Sequence, residues 1–243
     1  MAALIQAVAR QAQATFSRSI TEETFGEYFS NLHKLVNQAR AADVNLNQDL
    51  LKNTKDYSLL KSKGIIAPVT YVEMYEDQTF SMGIFVVKNG AKIPLHDHPH
   101  MCGILKVLHG KLSISSFNSS LTNGKEYKSP EEILSMVPPW QKHRLFPAKQ
   151  NKDIVASPDS EPCVLTPKEG NYHEITALDG PAAFLDILAP PYDMKERDCH
   201  YYRKVGETRQ EGKDSRISWL VEIPPPTDFW CNTSPYLGPD IHI

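Results

Sequence analysis

The spacing of apolar residues changes once along the chain, near Val69. Up to about residue 62, apolar positions such as Ile5, Val8 and Ala12 recur at helical intervals. Beyond Val69 the chain breaks into short runs rich in Val, Ile, Phe and Tyr, a pattern typical of strands. These runs are 69–75, 82–88, 104–108, 112–117, 162–166, 183–188, 199–205 and 217–223. The pattern predicts a helical N-terminal segment followed by a β-rich unit.

Turn-forming residues separate the predicted strands. Asn89-Gly90, His109-Gly110 and Gly180-Pro181 favour tight turns, and many short strands joined in this way predict a sandwich or barrel. The polar stretch at about 118–160 carries several prolines and only short apolar pieces, so we expect it to be an insertion between barrel strands. We therefore predict a helical preface at 1–62 and a mainly β domain at 63–243.

Composition narrows the range of partners. The chain has 243 residues, of which 41% are hydrophobic, enough for one substantial core. A formal net charge of -3 provides no basic field for nucleic acid, and no stretch approaches the ~18 apolar residues of a membrane span. We expect a soluble monomer that acts on small or peptidic partners and binds neither nucleic acid nor membrane.

The cysteines and the N-terminus bear on the compartment. Four scattered cysteines without CxxC pairs, and no compact apolar signal segment, predict a reducing, cytoplasmic environment. Residues 1–21 contain Arg10 and Arg18 but no acidic residue, which is a weak pattern for mitochondrial import. The alternative interpretation of this segment is an amphipathic helix.

Histidines provide the candidate chemistry. His96 and His98 are two residues apart, so in an extended strand both imidazoles project from one face while Asp97 faces away. His173 follows the turn residue Gly170, and it would complete a three-histidine site if the two segments lay on neighbouring barrel walls. Such a site suits iron, zinc, copper or nickel. An HxH pair can equally be two surface histidines.

The two histidine segments resemble the two cupin motifs. The residues that carry the resemblance are Gly90, His96, His98, Gly103, Gly110, Gly170 and His173. The usual first motif has a glutamate ligand where this chain has Cys102 or Gly103, and the second ends in Asn where this chain has Ala177. The resemblance implies a jelly-roll-like cupin barrel whose metal site has three histidines and no carboxylate, as in thiol dioxygenases.

Four longer segments sharpen the resemblance. They are His96-Asp-His-Pro-His-Met, 180–192, Asp198-Cys-His-Tyr-Tyr and Asp228-Phe-Trp-Cys. Together they resemble the family of 2-aminoethanethiol (cysteamine) dioxygenases, which is related to the plant cysteine oxidases. The resemblance implies one Fe(2+) per chain on His96, His98 and His173, with O2 as co-substrate. It also implies conversion of cysteamine to hypotaurine, oxidation of N-terminal cysteine in proteins to the sulfinic acid, and a role in oxygen sensing.

Other site residues follow from the resemblance, each with a structural alternative. Asp186 lies in an apolar run, and we expect it to contact the substrate amine or to form a structural hydrogen bond. Tyr192 is expected either at the substrate entrance or in packing. Cys199 and Tyr201 share a strand face, so they are candidates for a catalytic Cys-Tyr thioether or for simple packing.

Two other functions remain open at this point. The same histidines would serve a different cupin metalloenzyme, such as an isomerase or a hydrolase. A cupin could also bind a ligand without catalysis. Only the dioxygenase would consume O2 and form a sulfinic product.

Overall fold

The computed structural model describes residues 2–17, 21–52, 54–61, 66–120, 128–209 and 216–243. The predicted boundary between preface and domain, at 62–63, lies outside these residues.

The N-terminal segment is helical. It forms α1 (Ala2–Phe16), α2 (Glu22–Gln38), a 3-10 turn (Gln48–Leu51) and α3 (Tyr57–Lys61). Ile5, Val8 and Ala12, spaced three and four residues apart, are completely buried on one face of α1. That face packs with α2 in the same apolar cluster as β-sheet residues such as Ile84 and Leu185. The helices thus form a layer against the outside of the sheet.

The rest of the chain is mainly strands. They are β1 (Val69–Glu76), β2 (Ser81–Val87), β3 (Lys92–His96), β4 (Cys102–Ser119), β5 (Leu145–Gln150), β6 (Ile154–Ala156), β7 (Cys163–Leu165), β8 (Tyr172–Ala189), β9 (Tyr201–Arg209), β10 (Arg216–Ile223) and β11 (Cys231–Thr233).

Six of these strands close into a barrel. Hydrogen-bonded neighbours run β8-β3-β9-β10-β5-β4, and β4 pairs back to β8. Outside this ring, β2, β1 and β11 extend the sheet from β8, while β6 and β7 pair with β4. A mainly β barrel with N-terminal helices, as predicted, is confirmed.

The strands differ from the predicted runs in several places. The runs 104–108 and 112–117 are one bent strand, β4, whose register against β8 shifts around His109. Gly110 has a φ of 73°, in the left-handed region that favours glycine. A Cβ atom there would lie 2.5 Å from the carbonyl oxygen of Pro181. β3 was not among the runs, because Pro94 interrupts its pattern.

Another difference concerns the stretch at 118–160. It was expected as an insertion, but it contains α4 (Glu131–Ser135), a 3-10 turn (Pro139–Arg144), β5 and β6. β5 bridges β10 and β4 and so forms part of the barrel wall. Pro147 does not prevent β5 from forming part of the barrel wall, because β5 is a strand of only six residues.

A buried lysine joins the helical layer to the barrel. Lys106 on β4 is 1% exposed, and its ammonium donates hydrogen bonds to Asn37 Oδ1 of α2 (3.0 Å) and to the carbonyls of Pro158 (2.9 Å) and Ser160 (2.6 Å). All three ammonium hydrogens therefore have acceptors. Lys106 ties α2 to the turn between β6 and β7.

Replacing this lysine should destabilise the protein. Lys106→Met leaves three acceptors without their donor, so we expect a loss of about 2–4 kcal/mol in the free energy of unfolding, measured in urea. Lys111→Met is the matched control on the same strand, because Lys111 is 55% exposed and forms a surface ion pair with Asp179. The control should lose less than about 1 kcal/mol. Equal losses in the two variants would contradict this role for Lys106.

Candidate metal centre and substrate cavity

Three histidines lie close together where β3 ends and β8 begins. His96 ends β3, and His173 lies directly opposite it on β8. His98 follows β3 by two residues. One ring nitrogen of each lies within 4.8 Å of the others, and all three residues are less than 9% exposed. Within the described residues this is the one group of three or more His, Cys, Asp or Glu side chains arranged to hold a metal.

Hydrogen bonds orient the three rings. His96 Nδ1 lies 2.8 Å from the Pro94 carbonyl, and His173 Nδ1 lies 3.4 Å from the Gly170 carbonyl. A carbonyl can only accept, so each Nδ1 carries the hydrogen. This leaves Nε2 of both rings with a free lone pair.

Tyr192 plays the same part for His98. Its hydroxyl donates to the Asp97 carbonyl at 2.6 Å, so it can accept from His98 Nδ1, which is 2.7 Å away. His98 Nε2 and His173 Nε2 are then 3.4 Å apart with no hydrogen between them. A cation would satisfy both lone pairs, and the donor set therefore fits a metal ion.

Burial keeps the three imidazoles neutral. Desolvation lowers the pKa of His96 and, further, that of His98, where charge on His96 and His173 adds to the effect. For His173, burial and then the neighbouring His96 lower the pKa to about 3. At neutral pH each ring is unprotonated at Nε2 and ready to coordinate.

Two polar residues that sequence reasoning missed hold the chain segments around the three histidines. Asn171 accepts from His98 N (3.1 Å) and donates to its carbonyl (2.7 Å) and to that of Thr166 (3.0 Å). Asp97, which faces away from the histidines, accepts from His200 N and from the Tyr202 hydroxyl, both at 2.8 Å. Both side chains are buried. The signal in the sequence was a polar residue inside each metal motif.

A cavity of about 150 Å³ adjoins the three histidines. Its wall is mostly aromatic and aliphatic, with a few polar groups. The lining residues are Phe85, Ile93, Leu105, Ile175, Phe184, Asp186, Leu188, Tyr192, Cys199, Tyr201, Phe229 and Cys231. The structure thus brings every residue predicted for the site to one cavity.

Asp186 faces this cavity from β8. Among the described residues we find no hydrogen-bond donor to its carboxylate. Burial raises the pKa of Asp186 to about 7. A carboxyl without a partner at the wall of a cavity is available to a ligand that brings its own donor.

Cys199 and Tyr201 lie on the wall beside His96. Burial is the main cause that raises the pKa of the Cys199 thiol to about 11, and hydrogen bonding with the Tyr192 and Tyr201 side chains acts in the opposite direction. The Tyr201 ring centroid is 6.5 Å from that of His96. The expected closeness of the Cys199 and Tyr201 side chains is therefore observed, although β9 begins at Tyr201 rather than at residue 199.

Other histidines do not join the group. His100 is exposed in a turn with φ of 60°, so it does not continue the alternation of His96 and His98. His200 Nδ1 lies 3.3 Å from Asp97 Oδ1 on the far side of the motif. His33 contacts the Pro162 carbonyl, at 3.4 Å.

Comparison with known proteins decides the family. The family model PCO_ADO matches residues 35–241. The chain belongs to the PCO_ADO family.

Relatives of known function agree with this assignment. The chain is 43% identical to the 2-aminoethanethiol dioxygenase of Mus musculus and 37% identical to that of Homo sapiens; each match covers 99% of this chain and 97% of the relative. Plant cysteine oxidase 2 of Arabidopsis thaliana is 28% identical over 88% of this chain and 74% of its own. The resemblance stated from the sequence is confirmed, and so is the enzyme class, an oxidoreductase of the dioxygenase type.

Solved structures with a similar backbone are more distant. They include KdgF from Halomonas sp. (TM-score 0.35, 13% identity, 52% of this chain and 82% of the other). An oxalate oxidase in complex with the substrate analogue glycolate matches with a TM-score of 0.34 and 15% identity, over 51% of each chain.

No described helix of this PCO_ADO family member is both long enough and apolar enough to cross a membrane.

Removing the Tyr192 hydroxyl should weaken metal binding. Tyr192→Phe leaves His98 Nδ1 and the Asp97 carbonyl without their shared partner, so the ring is held less firmly. We expect metal affinity to fall about 10- to 100-fold, measured by anaerobic titration with ferrous iron. Tyr172→Phe is a matched control, because the Tyr172 ring packs on Tyr202 and its hydroxyl bonds to Ser119 rather than to an imidazole. Unchanged affinity in Tyr192→Phe would show that the bond does not orient His98.

Asp186 should make stability depend on pH. Its pKa is about 7 in the folded protein and about 4 in the unfolded chain, so between these values only the folded state keeps the proton. As pH rises from about 4 to about 7, metal-free wild type should lose stability relative to metal-free Asp186→Asn. Urea unfolding of both proteins at about pH 5 and about pH 8 measures the difference. A difference that is the same at both pH values would contradict the raised pKa.

Proposed function

We propose that this PCO_ADO family member is a ferrous-iron thiol dioxygenase. It adds both atoms of O2 to the thiol of cysteamine, giving hypotaurine, and to the thiol of an N-terminal cysteine in a peptide or protein, giving cysteine sulfinic acid. The observation that carries the proposal is the set of three neutral imidazoles, His96, His98 and His173, oriented toward one point beside a cavity. The family and its named relatives support the reaction class.

The three-histidine set suits the reaction. When bound, ferrous iron would supply the redox chemistry and acidify a coordinated thiol. Neutral imidazoles leave the charge of the ion undiminished, whereas a carboxylate ligand would reduce it and occupy a position. The reaction R-SH + O2 → R-SO2H balances without an external electron donor, because sulfur loses the four electrons that O2 gains.

Asp186 is the candidate for amine recognition. Cysteamine and an N-terminal cysteine both carry an amine two carbons from sulfur. An ammonium placed against the Asp186 carboxyl would form a charge-assisted hydrogen bond and would favour the ionised carboxylate. This bond supplies a partner that the carboxyl lacks among the described residues. Phe85, Phe184 and Leu188 line the same cavity, and an apolar wall beside the carboxyl strengthens the interaction.

Cys199, Tyr201 and Tyr192 would act beside the reacting sulfur. Tyr201 places a hydroxyl on the cavity wall, where it can donate to a substrate oxygen that develops charge, while the Tyr192 hydroxyl holds His98. A thioether between Cys199 and Tyr201 stays a prediction. Forming it would remove two hydrogen atoms, and O2 would be the acceptor.

A role in oxygen sensing follows from the same chemistry. O2 is consumed in each turnover, so the rate at which N-terminal cysteines become sulfinic acids depends on the O2 concentration. A protein whose N-terminus is oxidised in this way carries a new acidic group, and the fraction of molecules that carry it reports the O2 concentration.

Mass spectrometry of the products tests the proposal. Protein loaded anaerobically with iron should, on exposure to air, add two oxygen atoms to cysteamine and to a peptide with N-terminal cysteine. His96→Ala should lose most of its iron and its activity. Asp186→Asn should keep iron while kcat/KM falls for both substrates, and an acetylated peptide should react poorly with wild type. O2 uptake without a sulfinic product, or no O2 uptake, would refute the proposal.

A further inference from the structure

The metal cavity is too small for a peptide. Its volume of about 150 Å³ is below the roughly 300–1,000 Å³ of typical ligand clefts. It can enclose the thiol and amine end of a substrate, but the chain that follows an N-terminal cysteine must lie elsewhere. Two larger chambers border this cavity, and both reach Asp186.

The first chamber, of about 310 Å³, lies over the inner face of β1, β2 and β11. We call it the Tyr71 chamber; its lining residues beyond the metal cavity are Tyr71, Glu76, Ser81, Gly83 and Thr233. Tyr71 lies directly over Gly83, where a side chain would come within 2.4 Å of its ring. The missing side chain at Gly83 therefore provides the space for Tyr71 beside Asp186.

The second chamber, of about 400 Å³, lies behind β7 and borders His173. Most of its wall is apolar, including Leu105, Ile114 and Val164. Glu161 at its edge already accepts a hydrogen bond from Asn37 of α2, at 2.9 Å. Its two serine hydroxyls also accept hydrogen bonds within the chain, Ser116 from Asn151 and Ser160 from Ser157 N, both at 3.0 Å, so its polar groups are already engaged.

The Tyr71 chamber provides hydrogen-bonding partners for a peptide. Hydroxyls of Tyr71, Ser81 and Thr233 can pair with backbone groups. The chamber also continues the wall of the metal cavity through Tyr192 and Leu188, which line both. Asp186 lines both cavities as well, so a chain whose amine is held at Asp186 has the Tyr71 chamber beside it.

The charged side chains that line the Tyr71 chamber, Glu76 and Asp186, are both acidic. Glu76 stands opposite Ser81, and Glu73 stands opposite Gly83, so both lie in the row of β1 residues that includes Tyr71. After burial, the charges that raise the pKa of Tyr71 are those of Asp186, Glu73 and Glu76. Among the described lining residues there is no lysine or arginine.

The distance between Asp186 and Glu76 determines which residue of a peptide substrate can reach Glu76. Asp186 and Glu76 are separated by two strand spacings and two residues along β2, or about 12 Å between Cα atoms. An extended peptide advances about 3.3 Å per residue, and a lysine side chain adds its own length. With the amine of residue one at Asp186, the side chain of residue two or three reaches Glu76.

We infer that the Tyr71 chamber binds the peptide chain that follows an N-terminal cysteine, and that Glu76 selects a basic residue at the second or third position. This inference rests on the proposed function. Cysteamine is too short to enter the Tyr71 chamber, so its oxidation does not depend on the residues of that chamber.

Substrate selectivity at limiting concentration tests the inference. Peptides with N-terminal cysteine and Lys, Gln or Glu at position two, and the same series at position three, are compared by kcat/KM with cysteamine as reference. In wild type, Lys should exceed Glu about two- to tenfold at one of these positions, as expected for a partly exposed ion pair. The ratio should shrink as salt is added.

Two isosteric variants locate the charge. Glu76→Gln should bring the Lys:Glu ratio close to one and leave kcat/KM for cysteamine unchanged. Glu161→Gln is the matched control in the second chamber and should leave the ratio at its wild-type value. A ratio that survives Glu76→Gln, or one that collapses in Glu161→Gln, overturns the inference.

Failure of the inference can be told from failure of the proposed function. If cysteamine and all peptides are oxidised with no dependence on charge, only the selection by Glu76 is wrong. If no thiol gains oxygen with iron-loaded wild type, the proposed function is wrong and the inference falls with it.

Discussion

The long antiparallel pairing of β4 with β8 is the interaction on which the rest of the structure depends. It runs from Cys102 opposite Ala189 to Phe117 opposite Tyr172, and it closes the barrel. Both strands bend near a glycine, so each contributes to two parts of the wall. β8 can therefore carry His173 near one end and Asp186 near the other, and both face the same cavity. Without this pairing the carboxyl and the histidines would not share a site.

The metal centre depends on hydrogen bonds at the far side of each imidazole. Carbonyls of Pro94 and Gly170 and the hydroxyl of Tyr192 all fix the hydrogen on Nδ1. Burial then removes the competing proton from Nε2. The two effects leave three lone pairs directed at one point, and the protein gives up solvation of the rings in order to hold a cation there. Asp97 and Asn171 support this arrangement by fixing the backbone on either side of the barrel.

A metal that binds any accessible thiolate cannot by itself choose a substrate. On our proposal the choice is divided between two carboxylates at different depths. Asp186 is enclosed and meets the amine that cysteamine and an N-terminal cysteine share. Glu76 is exposed at the outer chamber and meets only a longer chain. Because screening by water is weaker at Asp186, the first contact contributes more to binding, and the second discriminates among peptides.

The local pattern of the sequence by itself determined the change from helices to strands at Val69 and the placing of His96 and His98 on one face, since both are matters of spacing. His173 as the third imidazole and the enzyme class came from the resemblance to a family, because spacing alone does not bring two distant segments together. The strand β5 could not be predicted, since its six residues are held by pairing with β4 and β10 rather than by their own pattern.

The tertiary structure decided the partners of the site residues. The contact of Tyr192 with His98 joins residues 94 apart, and Asn171 reaches His98 across 73. Such contacts leave no periodic trace, because they depend on how strands register across the barrel. The same holds for the two chambers beside Asp186: a cavity is a property of packed walls, and only the folded chain brings those walls together.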